Sequence, residues 1–192
     1  MHFPVVFLLA AFGLDILHLF HASLPDIVAS SSLLPPANEL PRLAYLSLSA
    51  GLLTALPAAL SGMMQAAKVV ARTGGPFDAT GKMLPRVYAI VVHALMADTV
   101  VLTSAWVWWR RHTVLAEHEA SLAAQLGLGI HLDSAQGNTC GGAAAEKYAA
   151  EPWIIGVEAV LASMLLLTAD AGGSLTYQHG VGLSIFGTKK NQ

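Results

Sequence analysis

Three histidines are candidates for binding a metal or a haem, because each lies in or beside an apolar segment of the 192-residue chain. His2 precedes the first such segment, His93 lies inside the third, and His179 follows the fourth. Neutral imidazole is the most common metal ligand in proteins, and axial histidines hold haem iron. Whether these side chains meet depends on how the apolar segments are arranged in space.

The composition is that of a membrane protein. Hydrophobic residues make up 55% of the chain and charged residues 11%, with a mean hydropathy of +0.58, whereas soluble domains carry about 25% charged residues. The net charge of −2 and the lack of a basic cluster interleaved with aromatic residues argue against nucleic-acid binding. Because Cys140 is the single cysteine, the sequence excludes an internal disulfide and covalent C-x-x-C-H haem attachment.

Four apolar segments predict an all-α fold, a single transmembrane four-helix bundle that covers residues 1–192. Each segment has about the 17–25 residues that a helix needs to cross a hydrocarbon core of about 30 Å. Prolines near the segment starts and tryptophans near the segment ends support these boundaries. The predicted spans are residues 4–20, 43–67, 87–109 and 153–175.

The connection between the third and fourth spans, residues 110–152, is predicted to be a loop insertion that carries a short amphipathic helix. The first span is expected to be retained as a helix rather than cleaved as a signal peptide. It has no positively charged start and it contains Asp15 and His18, which is not the pattern of a cleaved segment.

Four spans place both termini on one side of the membrane, called side A here, and the loops 21–42 and 110–152 on the opposite side, called side B. Six of the ten Lys and Arg residues fall on side A and four on side B. The positive-inside rule therefore predicts that both termini face the cytoplasm or an equivalent inner compartment. All three candidate histidines then belong to the side-A end of the bundle, with His93 about 12 Å inside it at 1.5 Å per helical residue.

A haem between helices needs small residues where the flat porphyrin lies, and Gly172 and Gly173 before His179 would supply that room. Glycine is also frequent in transmembrane helices because it permits close packing, and a histidine at the headgroup level needs no ligand. His93 is harder to explain by packing, since an ionisable residue at membrane depth is a functional candidate by default. From the residues alone, haem or metal binding and polar packing both stay open.

The sequence resembles a family of four-helix membrane proteins that is catalogued only as a transmembrane domain of unknown function. The resemblance rests on HFPVVFLLAAFGLDIL near the start, ALPAAL in the second segment, His93, and LTYQHGVG near the end. It covers the four spans but not residues 110–152. It implies a four-helix bundle whose histidines are suspected haem ligands, with redox partners in some members; the residues carried over are His2, Asp15, His93 and His179.

With this resemblance, the expected function is a small b-type haem protein with bis-histidine ligation of one non-covalent haem b. It would transfer electrons to or from a partner or a quinone within the lipid bilayer. The alternative is a membrane scaffold or accessory subunit without a cofactor, and homo- and hetero-oligomers both stay open. No nucleophile–base pair or nucleotide-binding motif occurs in the sequence, so no enzyme activity is assigned.

A second set of polar residues lies deeper in the predicted membrane spans. Asp15 and Asp98 are expected about 18 Å and 20 Å from side A at the helical rise per residue, so they would share a depth near the middle of the membrane. They are predicted to form a hydrogen-bonded pair that fixes the helix register, or to belong to a proton path with His18, which shares a helix face with Asp15. A second haem between His21 and His112 is not expected, because both lie beside loops.

Overall fold

The computed structural model describes residues 3–24, 34–127 and 147–179. In this part of the chain the protein is helical, with one isolated bridge between Phe77 and Met83 and no β-strand. Its elements are α1 (Phe3–Phe20), a 3-10 turn (His21–Ser23), α2 (Leu40–Arg72), α3 (Pro85–Gly127) and α4 (Pro152–His179). The predicted all-α four-helix bundle is confirmed.

Each of the four described helices contains a stretch that is long and apolar enough to cross a membrane. These stretches are Phe3–Phe20, Leu40–Arg72, Pro85–Ser121 and Pro152–Leu175. The protein is therefore an integral, multi-pass membrane protein. Each stretch contains one of the spans predicted from the sequence.

Proline residues explain where α2, α3 and α4 begin. Pro85 and Pro152 are the first residues of α3 and α4, and Pro41 occupies the first turn of α2, where a missing backbone N–H costs no hydrogen bond. On side A, α2 ends just before Gly74, whose φ of 76° lies in the left-handed region that favours glycine.

α3 is much longer than its predicted span of residues 87–109. Its 43 residues correspond to about 65 Å of helix, roughly twice the thickness of a hydrocarbon core. The short amphipathic helix that the sequence predicted within residues 110–152 is instead the C-terminal part of α3, while residues 128–146 lie outside the described part. Trp109 and Arg110 mark a change of polarity but not the end of the helix, because no proline or glycine interrupts the chain before Gly127.

The four helices form a ring in which α1 packs between α2 and α4, and α3 packs against the same two helices on the opposite side. α1 and α2 approach closely at Gly51 of α2, where a Cβ atom would lie 2.8 Å from Cδ2 of Leu8 in α1. Residues from all four helices form the core: Leu8, Phe12, Leu48, Val100, Val107, Ile154, Leu161 and Leu165.

The helices α1 and α2 do not reach the same depth at their side-A ends. From the contact between Leu8 and Gly51, α2 continues for about 32 Å to Arg72, whereas α1 extends only about 8 Å to its first residue, Phe3. α2 therefore extends much farther toward side A than the described part of α1 does. This offset changes which residues lie at the same depth.

Candidate functional site

A buried ion cluster joins three helices near side B. Arg111 of α3 donates hydrogen bonds from its two terminal nitrogens to the two carboxylate oxygens of Asp15 in α1, both at 2.7 Å. Its Nη1 also lies 3.5 Å from Oε1 of Glu158 in α4, and its Nη2 donates to the carbonyl oxygen of Tyr148 at 3.1 Å. The side chains of Arg111, Asp15 and Glu158 are 4%, 1% and 0% exposed.

The three side chains of this cluster are not equally well satisfied. The paired hydrogen bonds between Arg111 and Asp15 match the planar geometry of guanidinium and carboxylate, which is the strongest form of this interaction. Glu158 has a single long contact, and its Oε2 atom is buried without a hydrogen-bond partner, as is Nε of Arg111. One guanidinium neutralises one carboxylate, so Glu158 is the weakly held member.

The predicted pair of Asp15 and Asp98 does not form. Asp15 binds Arg111, Asp98 is exposed on α3, and no hydrogen bond joins the two carboxylates. The prediction assumed that the helices start at the same depth, but Arg111 lies about 20 Å farther toward side B along α3 than Asp98 does. His18 remains near Asp15 on α1, half-buried, with its Nδ1 buried and without a partner.

A group of aromatic residues packs together near the ion cluster. The ring of Trp108 stacks with the rings of Tyr45 and His112, at centroid distances of 6.4 Å and 5.1 Å, and its Nε1 donates to Oγ of Ser49 at 2.8 Å. The hydroxyl of Tyr45 and Nδ1 of His112 are hydrogen-bonded at 3.2 Å. Tyr148, whose carbonyl accepts from Arg111, places its ring 5.7 Å from that of Tyr45.

His112 thus has one ring nitrogen engaged and its ring face stacked. His21 is half-buried in the 3-10 turn after α1. The described contacts of His112 are those of a packing residue that links α2 and α3. They offer no support for a second haem at side B.

At the other end of the bundle, His93 of α3 packs directly against α4. A Cβ atom at Gly172 would lie 2.9 Å from Cε1 of the His93 ring, so the imidazole occupies the space that the glycine leaves. Nδ1 of His93 is buried without a hydrogen-bond partner. The sequence predicted that Gly172 and Gly173 make room for a porphyrin; in the structure the room at Gly172 holds the His93 ring, and nothing lies within 4 Å of the Cβ position at Gly173.

The other two candidate histidines are positioned only in part. His179 is the last residue of α4, two helical turns beyond Gly172 and on the same face of the helix, but its side chain lies outside the described atoms. His2 lies outside the described residues, directly before α1. Within the described part of the chain, no group of three or more His, Cys, Asp and Glu side chains is placed to hold a metal ion.

The comparisons with known proteins give no family for this chain. It matches no protein-family model, no curated protein and no solved structure. The resemblance to the four-helix family of unknown function therefore stays a prediction, and any functional proposal depends on the geometry of this protein's own residues.

Proposed function

We propose that the protein is a small membrane haem protein that binds one non-covalent haem b through His93 and a second histidine. One observation carries the proposal: His93 is an ionisable residue inside a membrane span, and its buried Nδ1 has no hydrogen-bond partner among the described residues. Leaving such a polar atom unsatisfied costs about 1–3 kcal/mol. A bound group that engages the imidazole, as a haem iron would, would offset that cost.

The second axial nitrogen would come from the same end of the bundle. His179 stands on the face of α4 against which His93 packs, two turns beyond Gly172. His2 precedes the start of α1 and is the other candidate. Two histidines on separate elements suit bis-histidine ligation, since each helix then contributes a single side chain.

The bound haem would supply one-electron redox chemistry. The chain's own residues would hold it: His93 ligates, and Gly172 lets the imidazole lie between α3 and α4. At the other end, the ion cluster of Asp15, Arg111 and Glu158 fixes α1, α3 and α4 against one another. A rigid frame of this kind limits how far a ligating side chain can move.

The uneven distribution of Lys and Arg supports placing both termini, and hence side A, on the cytoplasmic or inner side of the membrane. A haem held by His93 would then lie nearer the inner surface. Its electron partner would be a protein docked on that surface or a quinone in the bilayer.

The test is an absorption spectrum of protein purified in detergent and titrated with haemin. We expect a sharp Soret band that shifts when dithionite is added, and we expect His93→Ala to abolish it. The matched control is His118→Ala, because His118 is exposed near the far end of α3. If the wild-type protein stays colourless with full helicity, or if folded His93→Ala keeps the wild-type Soret band, the assignment is wrong; the colourless outcome favours the accessory-subunit alternative.

A further inference from the structure

Asp98 is an exposed carboxylate in the middle of a membrane span. It lies on α3, about 20 Å from Pro85, the first residue of the helix, and about 17 Å from Trp109, the end of the span predicted from the sequence. Its side chain is exposed, and it makes no hydrogen bond or ion pair with any described residue. Acidic side chains in membrane spans face the bundle interior, a partner or water, because lipid does not solvate them. An isolated copy of this protein therefore leaves Asp98 in an unfavourable place.

Asp170, an exposed acid of the fourth span, is less constrained than Asp98. Asp170 on α4 is exposed but lies only about 8 Å from Leu175, the end of its span. A side chain that close to an end can reach the polar headgroup region. Asp98 has no such route, so another molecule must cover it.

The surface around Asp98 has the spacing of a helix–helix interface. From Tyr88 to Leu102, steps of three and four residues alternate along one stripe of α3, and Trp109 follows one heptad later; this is the pattern of the contact seam in a left-handed helix pair. The apolar members of the stripe are each 40–70% exposed: Tyr88, Val91, Leu95, Leu102 and Trp109. Asp98 occupies the central position between Leu95 and Leu102.

We propose that this stripe is the interface of a parallel homodimer, in which α3 packs against α3 of a second copy and the two Asp98 side chains hydrogen-bond to each other. Two copies with the same topology carry Asp98 at the same depth. A two-fold axis along the membrane normal brings the same stripe of each copy together. Two carboxyl groups that share one proton are complementary, since one donates and the other accepts.

A second copy fits better than an unrelated helix because the carboxyl group needs a partner at one particular depth. The homodimer supplies that partner by symmetry, whereas a different protein would need a basic or amide side chain at the same level. Interhelical hydrogen bonds between polar side chains are a general source of helix association in membranes. Asp98 has no partner among the described residues of its own copy. Replacing it should therefore change dimer formation and leave the folding of each copy unchanged.

The first test compares Asp98→Leu and Asp98→Asn with the wild-type protein by light scattering in mild detergent over a range of dilutions. We expect Asp98→Leu to weaken dimerisation about tenfold or more, the size of one interhelical hydrogen bond. Asp98→Asn should keep the dimer, since a carboxamide both donates and accepts. Both variants should keep wild-type helicity. An Asp98→Leu protein that stays dimeric at all dilutions overturns the proposal.

The second test uses cysteine cross-linking in native membranes with an added copper oxidant, in a Cys140→Ser background. Leu102→Cys, in the stripe, should give a disulfide-linked dimer, because the two-fold axis brings the same residue of each copy together. Leu53→Cys is the matched control, since Leu53 is 69% exposed on α2 and lies outside the stripe. Equal cross-linking at the two positions, or a cross-link from Leu102→Cys only to a different protein, overturns the homodimer.

Discussion

Arg111 and Asp15 form a two-pronged ion pair across the core, with both guanidinium nitrogens 2.7 Å from the two carboxylate oxygens. The residues belong to α3 and α1, which stand opposite each other in the ring of helices. The pair therefore ties together two helices that do not pack side by side. Glu158 extends the connection to α4.

Removal of one member of this pair should destabilise the protein strongly. We expect Asp15→Ala to lower the free energy of unfolding by about 3–5 kcal/mol, because the buried Arg111 loses its close partner and keeps only the 3.5 Å contact with Glu158. Thermal unfolding followed by circular dichroism in detergent measures the change. The control is Glu39→Ala, which breaks the exposed pair with Arg42 at 3.8 Å and should cost about 1 kcal/mol or less. Equal melting temperatures for Asp15→Ala and the wild type would contradict the structure.

Glu158 should respond differently from Asp15 to loss of charge. Glu158→Gln keeps the size of the side chain and removes one of the two negative charges that face a single guanidinium. We expect its stability to stay within about 1 kcal/mol of the wild type, whereas Asp15→Asn should lose considerably more because it breaks a paired, charge-assisted contact. The comparison uses the same thermal unfolding measurement. A larger loss from Glu158→Gln than from Asp15→Asn would show that Glu158, not Asp15, is the main partner of Arg111.

The two glycines before the end of α4 should differ sharply in their tolerance of a methyl group. Gly172→Ala places Cβ 2.9 Å from the His93 ring, and overpacking of this kind costs about 1–3 kcal/mol. Gly173→Ala meets nothing within 4 Å and should be neutral or stabilising by up to about 1 kcal/mol through helix propensity. If the protein binds haem, Gly172→Ala should also displace the ligating ring and shift the Soret band. Identical stabilities for the two variants would exclude the close contact between His93 and α4.

The side-A loop between α2 and α3 carries a pH-sensitive turn. Asp78 accepts hydrogen bonds from the Thr80 hydroxyl at 2.6 Å and from the backbone N–H groups of Lys82 and Thr80 at 3.0 Å and 2.8 Å. The bond from the Thr80 hydroxyl, then that from Lys82, lowers the pKa of the Asp78 carboxyl below its ordinary value. The turn is therefore favoured at neutral pH and loses this support as the pH falls through the lowered pKa.

Amide NMR shifts of Thr80 and Lys82 in micelles should change with a midpoint below about pH 3.9, the usual value for aspartate. Asp78→Ala should remove that transition. A midpoint above the usual value would mean that the carboxylate does not accept these hydrogen bonds.

The helical class was predictable from the sequence because it follows from composition and segment length, which do not depend on how helices pack. The ion cluster of Asp15, Arg111 and Glu158 was not predictable from the sequence. Arg111 follows Trp109 and Arg110, a combination typical of a membrane edge, and Asp15 was matched to Asp98 by counting residues from helix starts taken as level. The offset between α1 and α2 at Gly51 shows why such counting fails. The informative signal was the run of good helix formers after Arg111, which extends α3 and places Arg111 on a helix face.

His93 was predictable as a residue of interest because an imidazole inside an apolar segment is unusual. The contact of His93 with Gly172 was not predictable, because residue spacing within α3 does not show which residue of α4 lies opposite. Gly172 does mark a place where another group lies close to α4, and in the structure that group is the His93 ring of the same protein.

The unbroken course of α3 has a mechanical consequence. The helix is held at Arg111 by the ion cluster, with about 24 Å of helix toward Gly127 and about 27 Å back to His93. The part toward His93 is also held by Val100 and Val107 in the core and by the contact of His93 with Gly172. A sideways push on the side-B end of α3 would therefore load the ion cluster first, so the cluster clamps the helix like the fixed end of a beam.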